Sequence, residues 1–185
     1  MIIDQFYLLD EDVILMTGEY NELGKLCARV MIGDQTILVN RSPLQVIDDT
    51  LIYIGFDLKG ANKSSKSILG NTYMRPIIVN PYKGICLFPF KAYRKNDCIW
   101  FNPDHIIKTM ARDFKTEVEL SNGVSIILDI TRYQFITKIE TALQLKKTCS
   151  ERGNHPHPLS YYITPEKKQG INKLKTGKYN FKSLG

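Results

Sequence analysis

The chain has 185 residues, a formal net charge of +6 and a hydrophobic content of 43%, which fits one globular domain, with or without an extension, and allows a substantial core. No stretch approaches the roughly 20 apolar residues of a membrane helix, and the opening MIIDQFYLLDEDV lacks a basic region leading into an apolar run and a cleavage site; a cytoplasmic protein with no membrane partner is expected. Cys27, Cys86, Cys98 and Cys149 form no C-x-x-C pair and have no histidines at zinc-finger spacing, so free thiols in a reducing compartment, with no metal and no other cofactor, are expected.

Charge is unevenly distributed. Residues 1–57 carry three basic and ten acidic side chains, residues 58–145 thirteen and seven, and residues 146–185 nine and two. An acidic beginning followed by a basic remainder favours a polyanionic partner for the later part, because clustered Lys and Arg bind phosphates by releasing condensed counterions. The alternative is a solvated surface with a basic tail.

Residues 12–20, 25–32 and 35–40 read as strands, with Gly33-Asp34 as the turn between the last two. Ser42-Pro43 is a helix start: the serine oxygen caps exposed amides and proline is preset for the first turn. Leu44, Ile47, Leu51 and Ile54 follow at helical spacing, which predicts a helix over 43–53. Residues 58–70 are small, polar and basic, and fit either a short helix ending at Gly70 or a mobile loop. No acidic residue lies between Leu58 and Tyr82. Small residues let a backbone approach an anion closely, but the G-x-x-x-x-G-K-[ST] spacing of a nucleotide-binding loop is absent.

Residues 76–101, PIIVNPYKGICLFPFKAYRKNDCIWF, read as a hairpin turning at Asn80 to Gly84, then a basic and aromatic loop after Pro89, then a strand closing on Trp100-Phe101. Residues 104–114 are ambiguous between strand and helix. Residues 116–121 and 124–130 flank Asn122-Gly123, which predicts a two-residue hairpin with a type I′ turn. A helical pattern then runs over 131–149, opened by the capping box Thr131-x-x-Gln134. Beyond it, Gly, Pro, Asn and Lys dominate 150–185, and this part is expected to be a basic, loosely ordered extension. The fold class expected is α+β: mainly antiparallel β hairpins with a helix at about 43–53 and a longer C-terminal helix at about 131–149. The domain expected is 1–149.

No catalytic arrangement stands out: the chain has no G-x-S-x-G, no H-E-x-x-H and no Cys-His signature. His105 reads as a structural histidine, and Asp48-Asp49 are adjacent on a helix and so do not face the same way. His155 and His157, between prolines, read as linker. No enzyme is expected.

The strings VNRSPLQVID (39–48), Val79-Asn80-Pro81, Leu87-Phe88-Pro89, Asp97-Cys98-Ile99-Trp100, Thr116-Glu117-Val118 and Ser121-Asn122-Gly123, in that order, resemble the bacterial competence transcription factor family, ComK. The resemblance runs from about residue 12 to 149. It implies a DNA-binding activator of DNA-uptake genes that recognises A·T-rich double-stranded boxes largely through the minor groove, acts as a homo-oligomer and is nucleoid-associated. It also implies delivery to a protease by an adaptor protein through a C-terminal aromatic-proline motif, for which Tyr162, Ile163 and Pro165 stand in the corresponding place.

Narrow, strongly negative minor grooves of A·T tracts draw in Arg and Lys side chains. Arg94 and Lys95, with Lys91 and Tyr93 beside them, are the candidates for that role, and Lys59, Lys63 and Lys66 are candidate phosphate contacts that position the protein. Two other readings keep the same body: a protein-interaction module whose basic tail is incidental, and a major-groove binder similar to LytTR-type response-regulator domains.

Overall fold

A computed structural model describes residues 2–3, 6–93, 95–154 and 176–178; Arg94, His155, His157, Tyr162, Ile163 and Pro165 lie outside the described residues. The backbone divides into two units, Met1–Glu151 and Arg152–Gly185. In chain order the first unit, with the helix that runs out of it, comprises β1 (Ile2–Ile3), β2 (Val13–Tyr20), β3 (Leu26–Ile32), β4 (Gln35–Val39), α1 (Pro43–Tyr53), α2 (Leu58–Leu69), β5 (Ile77–Asn80), β6 (Ile85–Pro89), β7 (Ile99–Phe101), β8 (Ile106–Arg112), β9 (Lys115–Leu120), β10 (Ser125–Leu128) and α3 (Arg132–Asn154). A seven-stranded sheet has the order β1-β4-β3-β2-β7-β6-β5, and a separate three-stranded sheet the order β10-β9-β8. All described pairs are antiparallel except β1 with β4, so the α+β class of antiparallel hairpins with a helix in each half holds.

Alternation along the strands explains the layering, because successive side chains point to opposite faces. On β6, Ile85 and Leu87 enter one core cluster while Cys86 and Phe88 enter the other, which is why ICLF reads as a continuous apolar run. The first cluster is closed by Val46, Ile47 and Leu51 of α1. The second is closed by Val118 and Leu120 of β9, Leu128 of β10, and Phe135, Ala142 and Leu145 of α3. Phe88, Phe101 and Phe135 meet there, with ring centroids 5.5 to 5.8 Å apart; such pairs add about 0.5–1.5 kcal/mol each beyond the area they bury.

Local chemistry sets the boundaries. Ser42 and Gln45 form a reciprocal capping box at the start of α1, and Thr131 and Gln134 do the same before α3, with Gln134 N donating to Thr131 Oγ1 and Thr131 N to Gln134 Oε1, both at 3.4 Å. Only Gly33 of the Gly33-Asp34 turn has positive φ, 50°, the type II′ pattern that suits a two-residue hairpin.

Three expectations are corrected or settled. The hairpin at Asn122-Gly123 exists, but it is not a type I′ turn. Only Gly123 has positive φ, and Gly123 N donates to the Leu120 carbonyl while Leu120 N donates to that of Val124. That is a three-residue loop with a glycine bulge, and it keeps Asn122 out of the strained left-handed region. Residues 104–114 are a short 3-10 turn, Pro103–His105, followed by β8. The helix expected over 131–149 continues to Asn154. No helix among the described residues is long and apolar enough to cross a membrane.

Candidate nucleic-acid interface

Residues 58–70, open between helix and loop from the sequence, form α2, which is capped at both ends and turns a short apolar side inward. Asp57 is the N-cap and accepts from Gly60 N, Asp48 Oδ1 accepts from Leu58 N at 2.9 Å, and Gly70 ends the helix at φ 76°. Leu58 and Ala61 pack on one core cluster, and Ile68 and Leu69 on the other. Ser65, 1% exposed, donates to the Pro76 carbonyl at 2.7 Å and ties the helix to the chain entering β5. Ser65→Ala strands that buried carbonyl, so a chemical-denaturation midpoint is expected to report a loss of about 1–2 kcal/mol.

With that face buried, Lys59, Lys63 and Lys66 fall on the opposite side of α2 at i, i+4 and i+7, all exposed. Like charges at such spacings destabilise a helix by about 0.2–0.5 kcal/mol per pair, and Lys59 also sits in the first turn, where the helix dipole disfavours a cation. The helix itself carries no acidic residue to relieve them. An external anion would.

The second part of the site is the loop between β6 and β7. Phe90 N donates to the Ile99 carbonyl, Lys95 N to that of Ala92 and Cys98 N to that of Lys95, each at 2.9 Å. Lys91 pairs with Asp97 across the loop and lies 5.4 Å from the Phe90 ring centroid; its hydrogen bond holds the Asp97 carboxyl below its ordinary pKa. Lys91, indistinguishable from Lys95 in the sequence, differs from it in being ion-paired within the loop. Lys95 is exposed, and Tyr93 leans on Trp100 with centroids 6.4 Å apart while staying partly open to solvent. Burial pushes the Cys98 thiol up, and Cys27, Cys86 and Cys98 are free, buried thiols.

The two parts adjoin. Lys59 and Asn62 of α2 share the lining of a cleft of about 520 Å³ with Tyr93 and Trp100, together with Asp48 and Asp57. Both carboxylates are occupied as acceptors for the first turn of α2. Lys59, Lys63, Lys66 and Lys95 have no acidic partner among the described residues, nor do Lys25, Lys108 and Arg132 elsewhere, whereas Arg29, Arg41, Lys83, Arg112, Lys115 and Lys146 each do; what sets the four apart is that they lie on adjoining elements. Three acidic residues of the first third of the chain pair in that way: Glu11 with Lys83, Glu19 with Arg29 and Asp49 with Arg41.

Sequence reasoning missed Gly18 on β2. The Asn96 backbone carbonyl lies where a Cβ of residue 18 would be, and Asn96 Nδ2 bonds the Tyr20 hydroxyl, so the loop is seated on β2. His105, conceivable as a base from the sequence, is held at both ring nitrogens, Nδ1 by Ser121 Oγ at 2.6 Å and Nε2 by the Glu11 carbonyl at 2.7 Å.

Comparison with known proteins adds a family. A family model described as ComK protein matches residues 4–154. The competence transcription factor of Bacillus subtilis (strain 168) is 28% identical over 136 residues, covering 73% of this chain and 71% of that protein. No solved structure matches.

Proposed function

The chain belongs to the ComK family, and from that premise we propose that it is a DNA-binding transcription regulator that activates competence genes, with A·T-rich double-stranded DNA as its partner, the minor groove as its main point of entry and a homo-oligomer as its working form. The observation that carries the reading is the group of four lysines without acidic partners, three in a stripe on α2 and Lys95 on the adjoining loop. In this reading Lys59, Lys63 and Lys66 hold phosphates, the Lys91–Asp97 pair stiffens the loop, and Tyr93, Arg94 and Lys95 are offered to the groove. Tyr162, Ile163 and Pro165 are assigned to an adaptor contact on the family resemblance alone. No catalytic role is proposed.

The test is a gel shift on A·T-rich and scrambled duplexes with a minor-groove competitor such as distamycin. The competitor is expected to displace the protein, and Arg94→Ala to erase the preference between duplexes while Lys63→Ala weakens both alike. Binding untouched by the competitor would overturn the minor-groove assignment in favour of a major-groove mode, and binding insensitive to salt would overturn the DNA reading.

A further inference from the structure

A second cleft, of about 870 Å³, lies between the turn after α2, the base of the β6–β7 loop, β10 and α3. Its volume is that of a small-molecule site. Phe88, Phe90 and Leu128 give it an apolar lining, and Tyr73 and Tyr133, 79% and 82% exposed, stand on its walls.

Two cations line it without an acidic partner among the described residues. Arg75 uses Nη1 on the Thr72 carbonyl at 2.7 Å, but its Nε is buried with no hydrogen-bond partner. Lys138 is half-buried, reaches the Met74 sulfur at 4.0 Å, and has its pKa pushed down by burial. The two carboxylates of the lining are each paired with a lysine, Asp97 with Lys91, which also lines the cleft, and Asp129 with Lys115. Met74, between Tyr73 and Arg75, is held at φ 55°, a conformation costly for a side chain of this kind and common at ligand clamps. Nε itself is closed to the cleft, so it is the outer edge of the Arg75 guanidinium, together with Lys138 Nζ, that an oxyanion in the cleft would meet.

We propose that this cleft is a binding site for a small organic anion, with a planar apolar body against Phe90 between Tyr73 and Tyr133 and a phosphate or carboxylate accepting from the outer edge of the Arg75 guanidinium and from Lys138 Nζ. A duplex backbone does not fit the description, because it has no apolar body to place in the pocket. The inference is independent of the DNA reading.

The test uses the full chain and the fluorescent anion 1-anilinonaphthalene-8-sulfonate, competed with adenosine 5′-monophosphate and with indole-3-acetate. Saturable one-site dye binding is expected, displaced by the nucleotide if the site takes phosphate and by indole-3-acetate if it takes carboxylate. Arg75→Gln and Lys138→Gln are each expected to weaken binding about tenfold, the scale of one charge-assisted hydrogen bond, while Lys63→Gln leaves it unchanged. Should Arg75→Gln fail to fold, Arg75→Lys keeps the charge and still removes the forked guanidinium edge. Displacement by neither competitor, or wild-type binding by both well-folded variants, overturns the proposal.

Discussion

Replacing Lys59, Lys63 and Lys66 together by Gln is expected to weaken binding to an A·T-rich duplex by about two to three orders of magnitude at roughly 0.1 M salt. The size follows from counterion release. Each phosphate neutralised contributes about 0.9 to the slope of log K against log salt, and at roughly 0.1 M that is about 0.9 log units of affinity per contact. Three contacts therefore flatten the slope by about 2.7, and single Lys→Gln variants by about 0.9 each. The folded state is not the casualty: Gln is nearly as good a helix former as Lys, and removing the like-charge stripe relieves the i, i+4 and i, i+3 repulsion on α2, so a thermal melt should be unchanged or slightly higher. Fluorescence anisotropy over a salt series reads both quantities. An unchanged slope in the triple variant would mean that the stripe faces solvent in the complex, and the interface would have to be sought elsewhere.

Legibility followed the physical range of each interaction. α1 was readable because its signals are local: Ser42, Pro43 and Gln45 sit together, and Val46, Ile47 and Leu51 all enter the core. α2 stayed open because its inward side, Leu58, Ala61, Ser65 and Ile68, includes two small residues, one of them polar, so its stripe is faint beside the small and polar residues around it. Residues 104–114 were ambiguous because a register shift between Ile106 and Lys108 breaks the alternation of β8, and the outward-facing strand is exposed or only partly buried along its length. In the site, the spacing of Lys59, Lys63 and Lys66 was visible, but a single stripe exists only once the segment is helical. That Lys91 is ion-paired depends on the loop folding Asp97 back onto it, which composition does not reveal. The pairing of Gly18 with Asn96, and the sharing of one cleft by Arg75 and Lys138, bring together residues from distant parts of the chain, and no single-sequence pattern encodes them.

Gly18 carries the other large expected effect. Its backbone pairs with Ala28 in the β2–β3 ladder, and its conformation is one that any residue adopts, so a strand position of this kind would ordinarily favour a β-branched side chain. What forbids one is the Asn96 carbonyl lying against it, with Leu26 Cδ1 3.1 Å from the place of a Cβ. The leucine tip can turn aside; a backbone carbonyl moves only with its loop. Gly18→Val is therefore expected to lift residues 95–97 off β2, breaking the Asn96–Tyr20 bond and straining the Lys91–Asp97 pair, at a cost of about 1–3 kcal/mol in a denaturant melt, the range for overpacking a well-filled site. Tyr20→Phe, which removes only the hydroxyl end of that bond, isolates the smaller contribution of about 1 kcal/mol. Because the strand and the α2 stripe stay in place, the loss should be confined to the loop's own cations, Arg94 and Lys95: about 0.9 in the salt slope for each that loses its contact, and so about one to two orders of magnitude in affinity at roughly 0.1 M salt. The losses from Gly18→Val and from the α2 lysines should add in log K if the loop and the helix contact DNA independently. A Gly18→Val protein that is destabilised yet binds DNA like the wild type would remove the β6–β7 loop from the interface and leave α2 as its remaining element.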